Sequence, residues 1–165
     1  MCSTVRSKRC NPSLPSIMID RFAVRRQEIQ RDLEKAMDGY PRLWTRVTRA
    51  WCDQGDGNFA WLTYAANYLF SFKGFRWALD PFSLSYRVGG VPIPEYRKDL
   101  AGLSLIVLTH AHNDHLDMSL VKALADTPVQ WVIPQYVLEK IETELKLPRE
   151  RVIVPRAGAE IELGP

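Results

Sequence analysis

The first third of the chain repeats apolar residues at the spacing of an amphipathic helix. The apolar side of this predicted helix, opposite a side rich in arginine and lysine, carries Ile19, Phe22, Ile29, Leu33 and Ala36. Gly39 and Pro41 predict the end of the helix, because glycine and proline are typical of helix termini. Proline also suits the first position of a helix, so a second helix is predicted from Pro41 onward.

From residue 59 the pattern becomes that of β-strands. Aromatic and aliphatic residues dominate segments 59–72 and 75–79, and the dipeptide Lys73-Gly74 between them is typical of a turn. These segments predict a β-hairpin that ends at Asp80-Pro81. Leu105–Leu108 is a short continuous apolar run, which is typical of a strand covered on both faces.

Helices and strands alternate after this run. Asp117 can cap a helix that extends to Ala125. The following segments predict a strand, a helix, a strand and the start of one more strand, over 129–133, 135–147, 151–154 and 160–163. Strands separated by helices of these lengths are expected to pair in parallel, with helical crossovers.

Three segments are expected along the chain. Residues 1–15 combine serines, prolines and mixed charge, which indicates a disordered leader. Residues 16–57 form a helical N-terminal segment that ends in the turn cluster Gly55–Asn58. Residues 58–165 form the domain that contains the strands.

Composition indicates a folded protein with a real core. The 165 residues are 46% hydrophobic and 25% charged. The net charge is only +3, but the first 50 residues hold eleven Lys/Arg and five Asp/Glu. We interpret this basic excess as a solvated helix face, and a nucleic-acid partner is the less favoured alternative.

The cysteines and apolar segments bear on the compartment. Cys2, Cys10 and Cys52 form no CxxC pair, so they indicate neither a disulfide framework nor a cysteine zinc site. No apolar run reaches the ~20 residues of a membrane helix, and the basic N-terminus lacks the apolar part of a secretory signal. We therefore expect a cytoplasmic protein that does not bind a membrane.

Candidate chemistry is concentrated in one loop. All three histidines of the chain lie within six residues, together with an aspartate, directly after the predicted strand 105–108. Imidazoles and carboxylates are good ligands for Zn²⁺. His110 and His112 can converge on one ion, and Asp114 and His115 could hold a second. Ligands collect beyond the carboxyl ends of strands in open α/β sheets, which favours this position.

This loop resembles a known signature. Residues 109–115, THAHNDH, are similar to the HxHxDH motif of the metallo-β-lactamase superfamily. The Leu116-Asp117 pair that follows resembles the lactonase and phospholipase-like branch, which includes the ascorbate-phosphate lactonases. Residues 77–81 resemble the superfamily's strand that ends in Asp-Pro. The resemblance covers roughly residues 59–165.

The resemblance implies roles for individual residues. His110 and His112 would bind the first metal, and Asp114 and His115 the second, with Asp114 also orienting the nucleophile as the catalytic residue. Asp80 would steady the loop through the ligands rather than bind metal itself. Two divalent ions are implied, and we expect zinc, although manganese or iron also suit these ligands.

The same resemblance implies a reaction. A metal-bound hydroxide would attack a small-molecule lactone, ester or phosphodiester. Hydrolysis is favoured over redox chemistry because the flavodiiron branch has glutamate at the position of His112. Two alternatives stay open: a nuclease of the same superfamily, and a non-catalytic, metal-poor remnant. Asn67 lies where relatives have a Gly-His turn, and we expect a buried strand asparagine there.

The chain departs from the family pattern after His115. The family completes its site with a later histidine, a bridging aspartate and a final histidine, whereas no histidine follows His115 here. The implied fold is α+β, the first half of an αββα sandwich, with an apolar sheet face left open. We therefore expect residues 58–165 to be an incomplete, inactive domain whose missing partner is its own C-terminal half.

Overall fold

The computed structural model describes residues 17–53, 55–83 and 95–162, without the side chains of residues 17–20 and 36. The predicted leader, residues 1–15, lies outside these ranges. The chain divides into two units, residues 1–36 and 37–165, and helix α1 (Ile17–Asp53) contributes to both. The remaining described elements belong to the second unit.

Within the first unit, α1 has an exposed apolar side. Phe22, Ile29 and Leu33 lie on the side that the sequence pattern predicts, and all three are exposed, as is Val24. None of the described helices combines the length and the hydropathy of a membrane-spanning segment.

The prediction of two helices around Gly39 and Pro41 is wrong. Helix α1 continues through Pro41, which lies inside it. A proline in a helix interior costs about 3 kcal/mol, so another contribution must offset it. From the residue before the proline onward, α1 buries a row of aromatic and aliphatic side chains, namely Tyr40, Trp44, Val47 and Trp51. Burying such side chains contributes about 1.5–3 kcal/mol each, which explains why packing overrides the local signal.

Three antiparallel strands begin the sheet of the second unit. They are β1 (Asn58–Leu62), β2 (Tyr68–Phe72) and β3 (Phe75–Leu79). The prediction of one continuous arm over 59–72 is wrong, because a turn at 63–67 divides it. The turn between β2 and β3 is confirmed at Lys73-Gly74, where positive φ values of 47° and 82° form the tight turn that suits strand twist.

Three parallel strands continue the sheet. They are β4 (Leu105–Val107), β5 (Gln130–Val132) and β6 (Val152–Ile153), and the order of the described strands across the sheet follows the chain, from β1 to β6. This confirms the predicted parallel pairing. β6 is the outermost parallel strand of the described sheet. Residues 160–162, where the start of one more strand is predicted, are not in a strand.

Short helices connect the parallel strands. They are α2 (Tyr96–Asp99) before β4, α3 (Met118–Leu124) before β5, α4 (Gln135–Glu142) before β6, and a single 3-10 turn at Arg149–Arg151. The predicted helix over 135–147 is too long. Helix α4 ends at Glu142, where the amide and the hydroxyl of Thr143 both donate to the Lys140 carbonyl and so compete with continued helical bonding.

The core lies on one face of the sheet. Leu69, Ala78, Ile106 and Trp131 are cross-strand neighbours in one row, and all four are fully buried. Side chains of α1, α3 and α4 belong to the same buried cluster. The opposite face is also apolar: Phe70 stacks on Trp77 with ring centroids 3.9 Å apart, and both are half-buried. The predicted α+β class with a preceding helical segment is therefore confirmed.

Candidate metal centre

The histidine loop begins where two neighbouring parallel strands end. Leu79 of β3 and Val107 of β4 are register partners, and the Asp80 amide donates to the Val107 carbonyl at 2.8 Å. The residues that follow β3 and β4 therefore leave the sheet side by side, at the carboxyl ends of the two strands. This topology brings Asp80 beside the loop of residues 108–116, where it contacts Thr109 and His115, 29 and 35 residues away along the chain.

Asp80 has an unusual backbone and a buried side chain. Its φ of 43° lies in the left-handed region, which aspartate tolerates better than most residues. The residue is only 1% exposed. Its carboxylate accepts hydrogen bonds from the Thr109 amide at 2.7 Å, from the Thr109 hydroxyl, and from His115 Nδ1 at 2.8 Å. These bonds compensate the cost of burying the charge.

The bond to Asp80 fixes the tautomer of His115. An ionised carboxylate only accepts hydrogen bonds, so the hydrogen of a neutral His115 imidazole lies on Nδ1. The lone pair of Nε2 then faces the other way and is available to a metal. His115 Nε2 lies 3.9 Å from Asp114 Oδ2, and both side chains are at least partly accessible to solvent.

The Thr109 hydroxyl links Asp80 to His110 and thereby also fixes the tautomer of His110. The Thr109 hydroxyl donates its single hydrogen to Asp80 Oδ2, and it also lies 2.9 Å from His110 Nδ1. The hydroxyl must therefore accept a hydrogen from His110 Nδ1, because its own hydrogen is already used. One carboxylate thus directs Nε2 of two histidines toward metal binding.

The three imidazole rings pack together. The ring centroids of His110 and His115 are 3.8 Å apart, and those of His110 and His112 are 4.7 Å apart and nearly perpendicular. The His112 carbonyl accepts from the amides of His115 and Leu116, both at 2.9 Å, which closes the loop into a tight turn. The His110 ring therefore lies nearer to His115, which is predicted for the second ion, than to His112, which is predicted for the first.

The residues fit a divalent cation. Ligand atoms of Asp80, His110 and His115 all lie within 4.8 Å of one another. The Asp80–His115 contact of 2.8 Å is a hydrogen bond, which favours a supporting role for Asp80 over direct ligation. Two ligands of one tetrahedral zinc lie about 3.3–3.6 Å apart, given zinc–ligand distances of about 2.0–2.2 Å. The 3.9 Å between Asp114 and His115 is close to that spacing.

Helix α4 supports the loop from outside the motif. The Tyr136 hydroxyl donates to the Thr109 carbonyl at 3.0 Å, and Lys140 Nζ donates to the Ala111 carbonyl at 2.9 Å. Neither Tyr136 nor Lys140 was predicted as part of the site. Their acceptors are backbone carbonyls, which any residue type supplies, so no sequence motif marks such contacts.

Asn67 contacts the site more closely than its sequence position predicted. It is fully buried as expected, but it lies at the end of the turn before β2 rather than in a strand. Its Nδ2 donates to the carbonyls of Asp80 and Asp114, at 2.7 and 2.8 Å. The only available signal was an asparagine that interrupts an apolar run.

Asp117 anchors the end of the loop. Its carboxylate accepts from the amides of Ser119 and Leu120, which confirms the predicted cap of α3. It also accepts from the Tyr96 hydroxyl at 2.8 Å. Nearby, burial raises the pKa of Tyr40, with smaller contributions from Tyr96 and Asp117. The buried Tyr40 phenol is therefore held in the protonated, donating form.

Comparison with protein families agrees with these observations. The model of a beta-lactamase superfamily domain matches residues 79–164, which include Asp80, the whole histidine loop and the parallel strands. No match results from a comparison with curated proteins. The six described strands and their helices agree with a partial beta-lactamase fold. Since the matched region covers more than half of the chain, the protein belongs to the beta-lactamase superfamily.

Proposed function

We propose that this chain contributes the HxHxDH half-site of a metal-dependent hydrolase that acts on small-molecule lactones, esters or phosphodiesters. Superfamily membership indicates hydrolase chemistry. The observation that carries the proposal is the bonding of Asp80, directly to His115 and through Thr109 to His110. Such carboxylate–histidine pairs are typical of metal ligands and raise the basicity of the ligating nitrogen.

Four side chains would hold the cofactor. His110 and His112 are proposed for one divalent ion, and Asp114 and His115 for a second, with zinc preferred and manganese or iron as alternatives. When bound, such ions supply Lewis acidity and lower the pKa of bound water to about 7. Each pair supplies two protein ligands, whereas an open zinc site normally keeps three. We therefore expect specific but weak zinc binding by these pairs alone.

Asp114 is the proposed catalytic residue. Its side chain is 37% exposed, whereas Asp80 is almost fully buried, so of the two carboxylates Asp114 is the one that solvent and substrate can reach. One carboxylate oxygen can serve as a ligand while the other accepts a hydrogen bond from the attacking water. That bond would orient the water toward the substrate carbonyl or phosphorus.

The lactonase and phospholipase-like branch is part of the proposal. Its support is the Leu116-Asp117 pair after the last histidine. Both residues are buried, and Asp117 caps α3, so the pair supports the loop and does not itself discriminate substrates.

The nuclease alternative rests on the exposed arginines of α1, such as Arg25, Arg42 and Arg46. A gel shift with RNA or DNA that weakens as salt rises would favour it.

The first experiment measures zinc binding. The chain is titrated with Zn²⁺ against a chelating dye, as wild type, as His110→Ala/His112→Ala, and as Asp114→Ala/His115→Ala. We expect each double variant to lose one component of binding. Glu139→Ala, an exposed change on α4, is the matched control and should bind as wild type does. Equal binding by all four proteins would refute the metal site.

The second experiment tests the reaction. The same proteins, loaded with zinc or manganese, are assayed with γ-butyrolactone, p-nitrophenyl acetate and bis(p-nitrophenyl) phosphate. Hydrolysis of any of these that disappears in the Asp114→Ala/His115→Ala variant supports the hydrolase. Hydrolysis that persists in both double variants would assign the activity to a contaminant and contradict the proposed site.

A further inference from the structure

We infer that Asn67 is a positioning residue for the metal loop, acting through the backbones of Asp80 and Asp114. This inference rests on the proposed function, because it assigns Asn67 a task in presenting metal ligands. Asn67 lies before residue 79, where the match to the superfamily domain begins. The role inferred for Asn67 therefore rests on its hydrogen bonds and not on the family match.

Asn67 joins two segments that converge on the site. A single side-chain nitrogen, Nδ2, donates to the Asp80 carbonyl at 2.7 Å and to the Asp114 carbonyl at 2.8 Å. A primary amide has two N–H donors, so both are used. The residue is 0% exposed, and water therefore cannot replace either bond. The amide thereby ties the end of β3 to the ligand loop that follows β4.

The bond to Asp80 stabilises a strained backbone. Asp80 has a φ of 43°, and the left-handed region is sterically disfavoured for a residue that has a Cβ atom. That conformation persists only where its surroundings fix it. The Asp80 amide is held by Val107 O at 2.8 Å, and Asn67 holds the Asp80 carbonyl on the other side. The carboxylate is thus aimed at Thr109 and His115.

The bond to Asp114 acts on the ligand itself. Asp114 and His115 are adjacent, and their facing atoms, Oδ2 and Nε2, are 3.9 Å apart. Holding the Asp114 carbonyl fixes the peptide that links the two proposed ligands. Loss of this bond would let the loop relax and would widen the distribution of that distance.

Asn67 is itself held firmly. The Thr63 amide and hydroxyl both donate to the Asn67 carbonyl, at 2.8 and 3.0 Å. Thr63 is buried, and β2 begins at the residue after Asn67. The turn between β1 and β2 therefore presents the amide from a fixed position, as a residue that orients others requires.

The test uses a near-isosteric change. Asn67→Asp replaces the donating amide by a carboxylate that only accepts, which places oxygen against both carbonyls. Asn67→Ser keeps one donor and provides a milder variant if Asn67→Asp folds poorly. Tyr40→Phe is the control, because it also removes a buried bond to a carbonyl, that of Phe82 at 2.9 Å. Its loss of stability is compared with that of Asn67→Ser, whereas Asn67→Asp, which also buries a carboxylate, should lose more.

Two readouts separate positioning from stability. The first is the zinc dissociation constant, which we expect to rise about 10–100-fold in Asn67→Asp, as for other residues that orient ligands. The second needs no metal: ¹⁵N NMR of the imidazoles reports whether the hydrogen of His115 stays on Nδ1. We expect a mixture of tautomers in Asn67→Asp and Asn67→Ser, and the wild-type tautomer in Tyr40→Phe.

The outcomes distinguish this inference from the proposed function. If Asn67 variants keep the wild-type tautomer and zinc affinity, or change no more than Tyr40→Phe at equal loss of stability, the positioning role is overturned. If wild type binds no zinc, the proposed function fails, and the tautomer readout alone then decides the role of Asn67.

Discussion

Asp80 and His115 are 35 residues apart in the chain, yet the Asp80 Oδ2 and His115 Nδ1 atoms meet at 2.8 Å. Parallel pairing of β3 with β4 produces this contact, because both residues follow the carboxyl ends of these strands. The carboxylate is 2% exposed and the imidazole 16%, so the pair lies at the boundary between core and solvent. The buried Asp80 carboxylate therefore orients the more accessible His115 imidazole.

Replacing Asp80 by asparagine should weaken both the fold and the site. An amide has one acceptor oxygen, so in Asp80→Asn at least one donor of Thr109 or His115 would face an N–H group. An unsatisfied buried donor costs about 1–3 kcal/mol, which we expect as a loss of unfolding free energy in urea. We also expect the zinc dissociation constant to rise about 10–100-fold.

Asp126→Asn is the control for this change. Asp126 is exposed, and its carboxylate pairs with Arg97 on the surface. That hydrogen bond lowers the pKa of Asp126, but a solvated pair contributes little to folding. If Asp126→Asn and Asp80→Asn had the same zinc affinity, the supporting role of Asp80 would be wrong.

The relay through Thr109 gives a second prediction. Thr109→Val removes the hydroxyl between Asp80 and His110 without a large change in volume. His110 should then lose its fixed tautomer while His115 keeps its direct bond to Asp80. We expect about a tenfold loss of zinc affinity and recovery in Thr109→Ser. Imidazole ¹⁵N NMR provides the check, and a change at His115 rather than His110 would contradict the relay.

Local patterns predicted the elements that carry the site. The apolar run that became β4, the histidine loop and the Asp117 cap all lie within about a dozen residues, so their signals are contiguous in sequence. The helix break at Pro41 was predicted from the same kind of signal and was wrong. There the decisive contribution is burial of Trp44 and Trp51 in a core formed by distant strands.

Long-range contacts to backbone atoms were beyond sequence reasoning. Asn67 bonds to a carbonyl 47 residues away, and Lys140 to one 29 residues away. A carbonyl acceptor places no requirement on the residue that supplies it. Only the register of the sheet reveals that Asn67 stands beside Asp80, and that register follows from pairing rather than from any single segment.

Two glycines should respond to alanine with opposite signs. Gly74 has a φ of 82° in the β2–β3 turn, where an L side chain is strained, so Gly74→Ala should lose about 1–2 kcal/mol of stability. Gly39 lies within α1 with no atom within 4 Å of an added Cβ. Gly39→Ala should gain about 0.5–1 kcal/mol, because alanine is the better helix former.

Urea unfolding of the two glycine variants is the measurement. A destabilised Gly39→Ala would show that α1 is not helical at this position in solution. A neutral Gly74→Ala would show that the β2–β3 turn does not have two residues with positive φ.

Tyr40 predicts a pH dependence at the alkaline end. Burial raises the pKa of its phenol, with further contributions from the charges of Tyr96 and Asp117. A raised folded-state pKa means that the contribution to stability is complete below the unfolded value of about 10. It is lost as pH rises from there through the folded pKa, by up to about 1.4 kcal/mol per pH unit.

Tyr40→Phe isolates this effect, because the remaining tyrosines titrate equally in both proteins. Near pH 8 the variant should be less stable by about 1 kcal/mol, since the hydroxyl that donates to the Phe82 carbonyl is gone. Above pH 10 ionisation of Tyr40 lowers the free energy of the unfolded state in wild type only, so the difference should shrink to near zero by pH 10.5. Urea unfolding at pH 8, 9.5 and 10.5 measures it. A difference that stays constant across this series would mean that the Tyr40 phenol titrates alike in the folded and unfolded chain, and that it is not buried in solution.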